Sequence, residues 1–174
     1  MRRALIGVLA CALLAITAFG FATAGEHATP AATPASYSDA VTREVINAGM
    51  PEAAPGQVLE LVRYTIEPNT KLPIHTHPGI QVAYVESGIL HFSVLEGTAE
   101  VSRATDGDYS GPIEVLGPGM ETVFEPGDRF VETDGLVHFG ENRSDEPVVL
   151  LVASLFLDGK PPSTEIEGGT PPAE

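Results

Sequence analysis

Between residues 40 and 158 the chain is broken into short apolar runs by glycine or proline at near-regular intervals, and this punctuation limits the folds open to it. The runs are Val58-Ile66, Leu72-His77, Ile80-Val85, Ile89-Leu95, Ala99-Arg103, Ile113-Leu116, Glu121-Phe124, Arg129-Val131, Leu136-Phe139 and Val148-Leu157. Pro68, Pro78-Gly79, Gly88, Gly97, Gly111-Pro112, Gly117-Pro118-Gly119, Pro126-Gly127, Gly135 and Pro147 separate most of them. None of the runs carries a long 3.6-residue periodicity, so the pattern predicts an all-β sandwich or barrel. A short helix over Ser38-Ala48, with Asp39 as its cap, is the one helical expectation. Val148-Leu157 is apolar on both faces, which predicts a central strand or one also covered by a second subunit.

The ends of the chain read differently. Met1-Arg2-Arg3 is basic, Ala4 to Phe21 is almost wholly apolar, and Ala22-Thr23-Ala24 has the small-x-small form of a cleavage site, which predicts a signal peptide over 1–24 and an exported protein. Retention as an anchor, or lipidation at Cys11 within Val8-Leu9-Ala10-Cys11, are the alternatives by which a membrane would become a partner. Residues 25–39 form an Ala/Thr/Pro linker, 40–158 the folded domain, and 159–174 a Pro/Gly-rich acidic tail expected to be disordered. His27 lies in the linker and is expected to be solvated.

The net charge of −15 opposes binding to nucleic acid or to anionic membrane surfaces. Cleavage after Ala24 removes two of the nine basic residues, leaving seven against 24 acidic ones. Cys11 is the only cysteine, so the folded domain has neither a disulfide framework nor a thiolate ligand.

His75-Thr76-His77-Pro78-Gly79-Ile80-Gln81 places two imidazoles on alternate residues of an apparent strand, and Gln81 follows four residues after His77 with the same parity. Two histidines on one face are costly to bury unless they meet solvent or a metal. A second spacing runs from Gly127 through Thr133-Asp134-Gly135 to His138 and Asn142, with Leu136, His138 and Asn142 sharing parity. Two strands brought together would aim His75, His77 and His138 at one point.

Together these stretches resemble the two motifs of the cupin superfamily: His-x-His, three or four residues, Glu, six residues, Gly; then Gly, five residues, Pro-x-Gly, two residues, His, three residues, Asn. Every spacing fits over about residues 70 to 142. Gln81 stands at the usual glutamate ligand and Thr133 at the usual proline. The resemblance implies a single-domain double-stranded β-helix, or jelly-roll barrel. It also implies a divalent transition metal (Fe, Mn, Ni, Cu, Co or Zn) held by His75, His77 and His138, with Gln81 as a weaker neutral donor. Three neutral histidines leave the ionic charge uncompensated, so a small anionic ligand such as a carboxylate, enolate or phenolate is the expected partner.

Cupins include dioxygenases, decarboxylases, isomerases and non-catalytic binding proteins, so the resemblance implies a fold more narrowly than a reaction. Dioxygenase-like transformation of a small organic acid or enol-like molecule is the first reading. A non-catalytic binding or sensing domain is the second. Tyr84 has the wrong parity relative to Gln81 to act near the site, which leans toward binding. Glu121, Glu125 and Glu132, like Arg63 and Arg129, are expected on the solvated surface, and His91 on the surface or at a subunit contact. A homodimer is expected to cover the last apolar strand.

Overall fold

The structure, a computed structural model, describes residues 37–104 and 113–166. The signal peptide expected over 1–24, the linker up to residue 36 and the end of the acidic tail lie outside the described residues. Within them a four-residue helix, Tyr37–Ala40, leads into strands β1 (Val41–Gly49), β2 (Gln57–Ile66), β3 (Thr70–Lys71), β4 (His75–Thr76), β5 (Gly79–Ser87), β6 (Leu90–Glu96) and β7 (Ala99–Ser102). They continue with β8 (Glu114–Leu116), β9 (Glu121–Phe124), β10 (Arg129–Glu132), β11 (Val137–Asn142), β12 (Val148–Leu157) and β13 (Thr164–Glu165).

The strands build two antiparallel sheets, one in the order β1-β2-β12-β5-β10-β7-β8 and the other in the order β13-β4-β11-β6-β9, with β3 beside β11. This is the expected all-β jelly-roll. Alternate residues of facing strands meet between the sheets. Ala83 and Val85 of β5, Phe130 of β10, and Val148, Leu150 and Val152 of β12 pack with Leu90, Phe92 and Val94 of β6 and Phe124 of β9. With no tryptophan in the sequence, phenylalanine supplies the bulk. Phe124 stacks on Phe130 at 4.3 Å between centroids, Phe92 lies 5.3 Å from Phe130, and the column ends on His138, 4.9 Å from Phe92. An edge or offset stack of this kind stabilises beyond area burial alone.

Three sequence expectations change. The helix expected over Ser38-Ala48 is replaced after Ala40 by β1, whose Val41, Thr42, Val45 and Ile46 are β-branched and lose χ1 freedom in a helix. Pairing with β2 along its length supplies the backbone hydrogen bonds that a helix would otherwise make. The run Leu72-His77 holds only the dipeptide strand β4, which Leu72, Pro73 and Ile74 separate from β3 before it. Pro73 cannot donate a ladder hydrogen bond. Finally, the segment 159–166, expected to belong to a disordered tail, is held by β13: Thr164 pairs with Thr76, Glu165 with His75, and the Ile166 amide donates to the Ile74 carbonyl. Sheet pairing, rather than apolar burial, orders this polar stretch.

β12 lies between β2 and β5. Val148, Leu150, Val152 and Phe156 face the core, while Val149, Leu151 and Leu155 are half-buried on the outer face. The Asn142 motif residue has a structural role. Its fully buried amide nitrogen lies 2.8 to 3.1 Å from the carbonyl oxygens of Ile66, Glu67 and Glu146, and its Oδ1 accepts from the Ser144 amide and hydroxyl. It therefore clips the end of β11 to the end of β2.

A second polar clip joins the sheet edges. Arg103 donates to the Val123 carbonyl and Thr122 hydroxyl of β9 and to Glu114 of β8, and pairs with the buried Asp128. Asp128 also accepts from the amides of Ala104 (2.8 Å) and Glu125 (3.1 Å). Burial opposes its ionisation, but these amides and Arg103 outweigh it, holding the carboxyl below its ordinary 3.8. A carboxylate stabilised in this way adds stability that is present above about pH 4 and is lost as pH falls through its lowered value. Asp128→Asn should therefore cost about 1–3 kcal/mol at pH 7, and the deficit should shrink toward pH 2. Urea unfolding of both proteins at pH 7 and pH 2.5 measures this, and an equal deficit at both pH values contradicts it.

Candidate metal centre

His75 lies on β4 and His138 on β11, directly paired across the smaller sheet. Gln81 lies on β5 and Glu132 on β10, directly paired across the larger one. His77 occupies the corner where the chain passes from one sheet to the other. The four expected site residues thus converge, but not by sharing the face of one strand. The corner after His77 turns at Pro78-Gly79, and a Cβ on Gly79 would lie 2.3 Å from the Leu155 carbonyl oxygen, so only glycine lets β5 run this close to β12.

The possible ligand atoms of His75, His77 and His138 all lie within 4.8 Å of one another. Backbone carbonyls fix two of the rings. Nδ1 of His75 donates to the Pro73 carbonyl at 2.8 Å, and Nδ1 of His77 to the Pro162 carbonyl at 2.6 Å, so each turns Nε2 away from its carbonyl partner. A histidine ligand is commonly oriented by such a bond from its other nitrogen. The Pro162 carbonyl comes from the segment ordered by β13, which makes the C-terminal stretch part of the site. His77 also stacks on Phe156 at 5.6 Å, and His138 is wedged against Phe92.

Glu132, expected on the solvated surface, is instead buried at 4% exposure in the middle of this cluster. Its Oε2 lies 3.1 Å from His77 Nε2 and its Oε1 3.3 Å from His138 Nε2, and Gln81 Nε2 donates to Oε2 at 2.6 Å. A buried carboxylate without such partners would carry a large desolvation cost. Strand parity could have located it: Phe130 faces the core, so Glu132, two residues on, must as well. Glu121 and Glu125 are exposed, Arg63 pairs with Glu86 and Glu44 at the surface, and Arg129 is half-buried away from the cluster. His91 and Tyr84 also point away from it, Tyr84 with 43% exposure.

The electrostatics follow from the burial. His75 is pushed down to about 3 by burial and by the neighbouring His138 and His77, so its imidazole is neutral at any ordinary pH and could serve as a donor. Burial also opposes charge on His77, but the Glu132 carboxylate more than compensates and raises it. Burial would raise Glu132, yet His138 and His77 hold it well below the usual carboxylate range.

The donor set fits a divalent transition metal. Two donors bound at about 2.1 Å to one ion lie about 3.0 Å apart at right angles and about 3.4 Å apart in a tetrahedron. The two Glu132–imidazole separations fall in that interval. His138 Nδ1 and Gln81 Oε1 are buried without a hydrogen-bond partner, so the polar cluster is not closed by the protein's own contacts.

The cluster forms one wall of a cavity of about 240 Å³ whose other walls include Val41, Ile66, Leu72, Leu90, Phe92, Leu150 and Val152. Arg43 and Tyr64 also line it, joined by a 3.1 Å bond from Arg43 Nε to the Tyr64 hydroxyl. Sequence reasoning missed Arg43 because β1 was expected to be helical, and Tyr64, although on an expected strand, carried no signal of which face meets the cavity.

The family profile described as Cupin matches residues 55–155. No curated protein matches the chain. Among solved structures, a recombinant oxalate oxidase in complex with glycolate is 18% identical, with a TM-score of 0.47, over 82% of this chain and 66% of that one. Oxalate oxidase in complex with the substrate analogue glycolate is 16% identical, with a TM-score of 0.44, over 80% and 68%. The formate complex of Lactobacillus farciminis oxalate decarboxylase is 16% identical, with a TM-score of 0.41, over 62% of this chain. The chain spans only 26% of that decarboxylase's length.

The C-terminal contact to His77 is directly testable. Long-range proton–nitrogen NMR at pH 9 should show His75 and His77 as Nδ1–H tautomers. Truncation after Gly159 should release His77 into tautomer exchange and leave His75 unchanged. An unchanged His77 signal would mean that the Pro162 carbonyl does not fix the ring.

Proposed function

Since the chain belongs to the cupin family, we propose that it is an exported metal-binding cupin acting on a small organic acid or enol-like molecule. The observation that carries this reading is the convergence of His75, His77 and His138 on one wall of an otherwise largely apolar cavity. His75, His77 and His138 would hold a divalent transition metal. Such an ion supplies Lewis-acid polarisation of an anionic oxygen ligand and, for Fe, Mn, Ni or Cu, access to O2-dependent oxidation.

The chain's own residues define what enters. Ile66, Leu72, Leu90 and Val152 exclude water and receive the apolar body of the ligand. Its anionic end faces the histidines. Arg43 and Tyr64 present a guanidinium and a phenol to the same cavity, although Arg43 is already paired with Glu60 at 2.5 Å, so they orient a polar substituent better than they neutralise a second charge. Non-catalytic binding is the alternative, and it is favoured by Tyr84 lying exposed on the outer face rather than in the cavity.

The reading extends to assembly. Residues 1–24 would be removed on export, and a homodimer would cover the outer face of the larger sheet, where Leu59, Ile80, Val82 and Tyr84 are exposed. Sedimentation of residues 25–174 should give twice the monomer mass. A monomer at micromolar concentration counts against pairing.

Elemental analysis of the protein purified without added metal or chelator should give close to one divalent transition metal per chain. His75→Ala and His138→Ala should each lose most of it, while His91→Ala keeps it. O2 uptake with small carboxylic acids and enols then separates turnover from binding. Equal metal content in all four proteins would reject the site.

A further inference from the structure

We infer that Glu132 of β10, not Gln81 of β5, supplies the fourth protein ligand of the metal, and that Gln81 is a positioning residue that holds the Glu132 carboxylate. This inference rests on the proposed metal site and deepens it.

The orientation of Gln81 carries the first half. Its Nε2 lies 2.6 Å from Glu132 Oε2 and 3.2 Å from His77 Nε2. Exchanging the amide nitrogen and oxygen would set two oxygens against each other at 2.6 Å, one of them on a carboxylate, so the nitrogen end is fixed toward the cluster. An amide N–H2 has no lone pair to give a metal. The end of Gln81 that meets the histidines is therefore its non-ligating end, and Oε1 is buried elsewhere without a partner.

The second half is carried by Glu132. Each of its oxygens faces a different imidazole Nε2, at 3.1 and 3.3 Å, and the carboxylate itself is buried. Those separations are the ones that ligands of a common ion adopt. Because residues 81 and 132 are directly opposed on neighbouring antiparallel strands, their side chains emerge on the same face, about 5 Å apart at Cβ. A carboxylate can therefore reach the same point from either strand. Glu at 81 would reach the cluster directly, since the Gln81 side chain of the same length already brings Nε2 to 3.2 Å from His77 Nε2.

The chemistry gives Gln81 a reason to be neutral. A second carboxylate at 81 would stand against Glu132 in a buried site, where like charges are strongly unfavourable. Gln81 supplies the same length of side chain with a donor where the carboxylate needs one.

The test uses full-length protein lacking only residues 1–24, loaded with Co(II), with affinity read by competition against a chromophoric chelator and coordination read from the visible ligand-field spectrum. Wild type should bind one Co(II). Glu132→Gln should weaken binding at least about 100-fold and change the spectrum. The exchanged double variant, Gln81→Glu with Glu132→Gln, should recover affinity to within about tenfold. Gln81→Ala, which keeps Glu132, should lose less than Glu132→Gln does.

Wild-type affinity and spectrum in Glu132→Gln would overturn the assignment while leaving the three-histidine site intact. Failure of wild type to bind Co(II) at all would overturn both the assignment and the metal reading. If Glu132→Gln does not fold, the double variant decides: an unrecovered affinity in a folded double variant rejects a carboxylate ligand that either strand can supply.

Discussion

The corner between His75 and Gln81 is the constraint on which the site depends. Within six residues the chain leaves the smaller sheet, turns at Pro78-Gly79 and enters the larger one, passing so close to the Leu155 carbonyl that no side chain fits at 79. Because the corner joins the two sheets, it places His75 beside His138 on one and Gln81 beside Glu132 on the other. A straight strand would have kept all of its residues in one sheet. The same turn thus joins the sheets and brings together the candidate ligand residues.

Placing ionisable groups at that closure has an energetic consequence. Glu132 and the three histidines are removed from water, where their attraction is strong and any unpaired charge is costly. The surrounding structure answers with fixed partners: Pro73 and Pro162 carbonyls for two imidazoles, Gln81 for the carboxylate, and Phe92 and Phe156 against the rings. The clips at Asn142 and Arg103 lie outside this cluster and hold strand ends and sheet edges through hydrogen bonds among protein groups alone. The contacts that hold strand ends and sheet edges are therefore distinct from the candidate ligand atoms.

Much of this was legible in the sequence. Glycine and proline punctuation located most of the strands, with β9 and β12 falling on Glu121-Phe124 and Val148-Leu157, because turn residues act locally. His138 could be joined to His75 only through the matched spacings, since a contact across 63 residues has no local signature. Three things were not legible for physical reasons. β1 is an edge strand with a mostly exposed pattern, so it lacks the alternation that identifies a half-buried strand. β13 is held by two backbone pairings in a polar segment, and backbone pairing leaves little trace in composition. Glu132 was misplaced because carboxylates are usually solvated, although its parity with Phe130 pointed inward.

The charge balance of the site bears on what the cavity accepts. A divalent ion held by three neutral imidazoles alone would keep its full +2 and favour a dianion or two anionic donors. With Glu132 among the ligands one positive charge remains, which a single carboxylate or enolate oxygen neutralises. A second negative charge on the same small molecule would then lie either against the buried Glu132 or among the apolar side chains of Ile66, Leu72 and Val152, where it is unfavourable. Arg43 offers little relief, because Glu60 already holds its guanidinium. If Glu132 is a ligand as proposed, charge and cavity wall would select the same ligand class: a monoanion whose remainder is apolar and large enough to fill the space between the sheets.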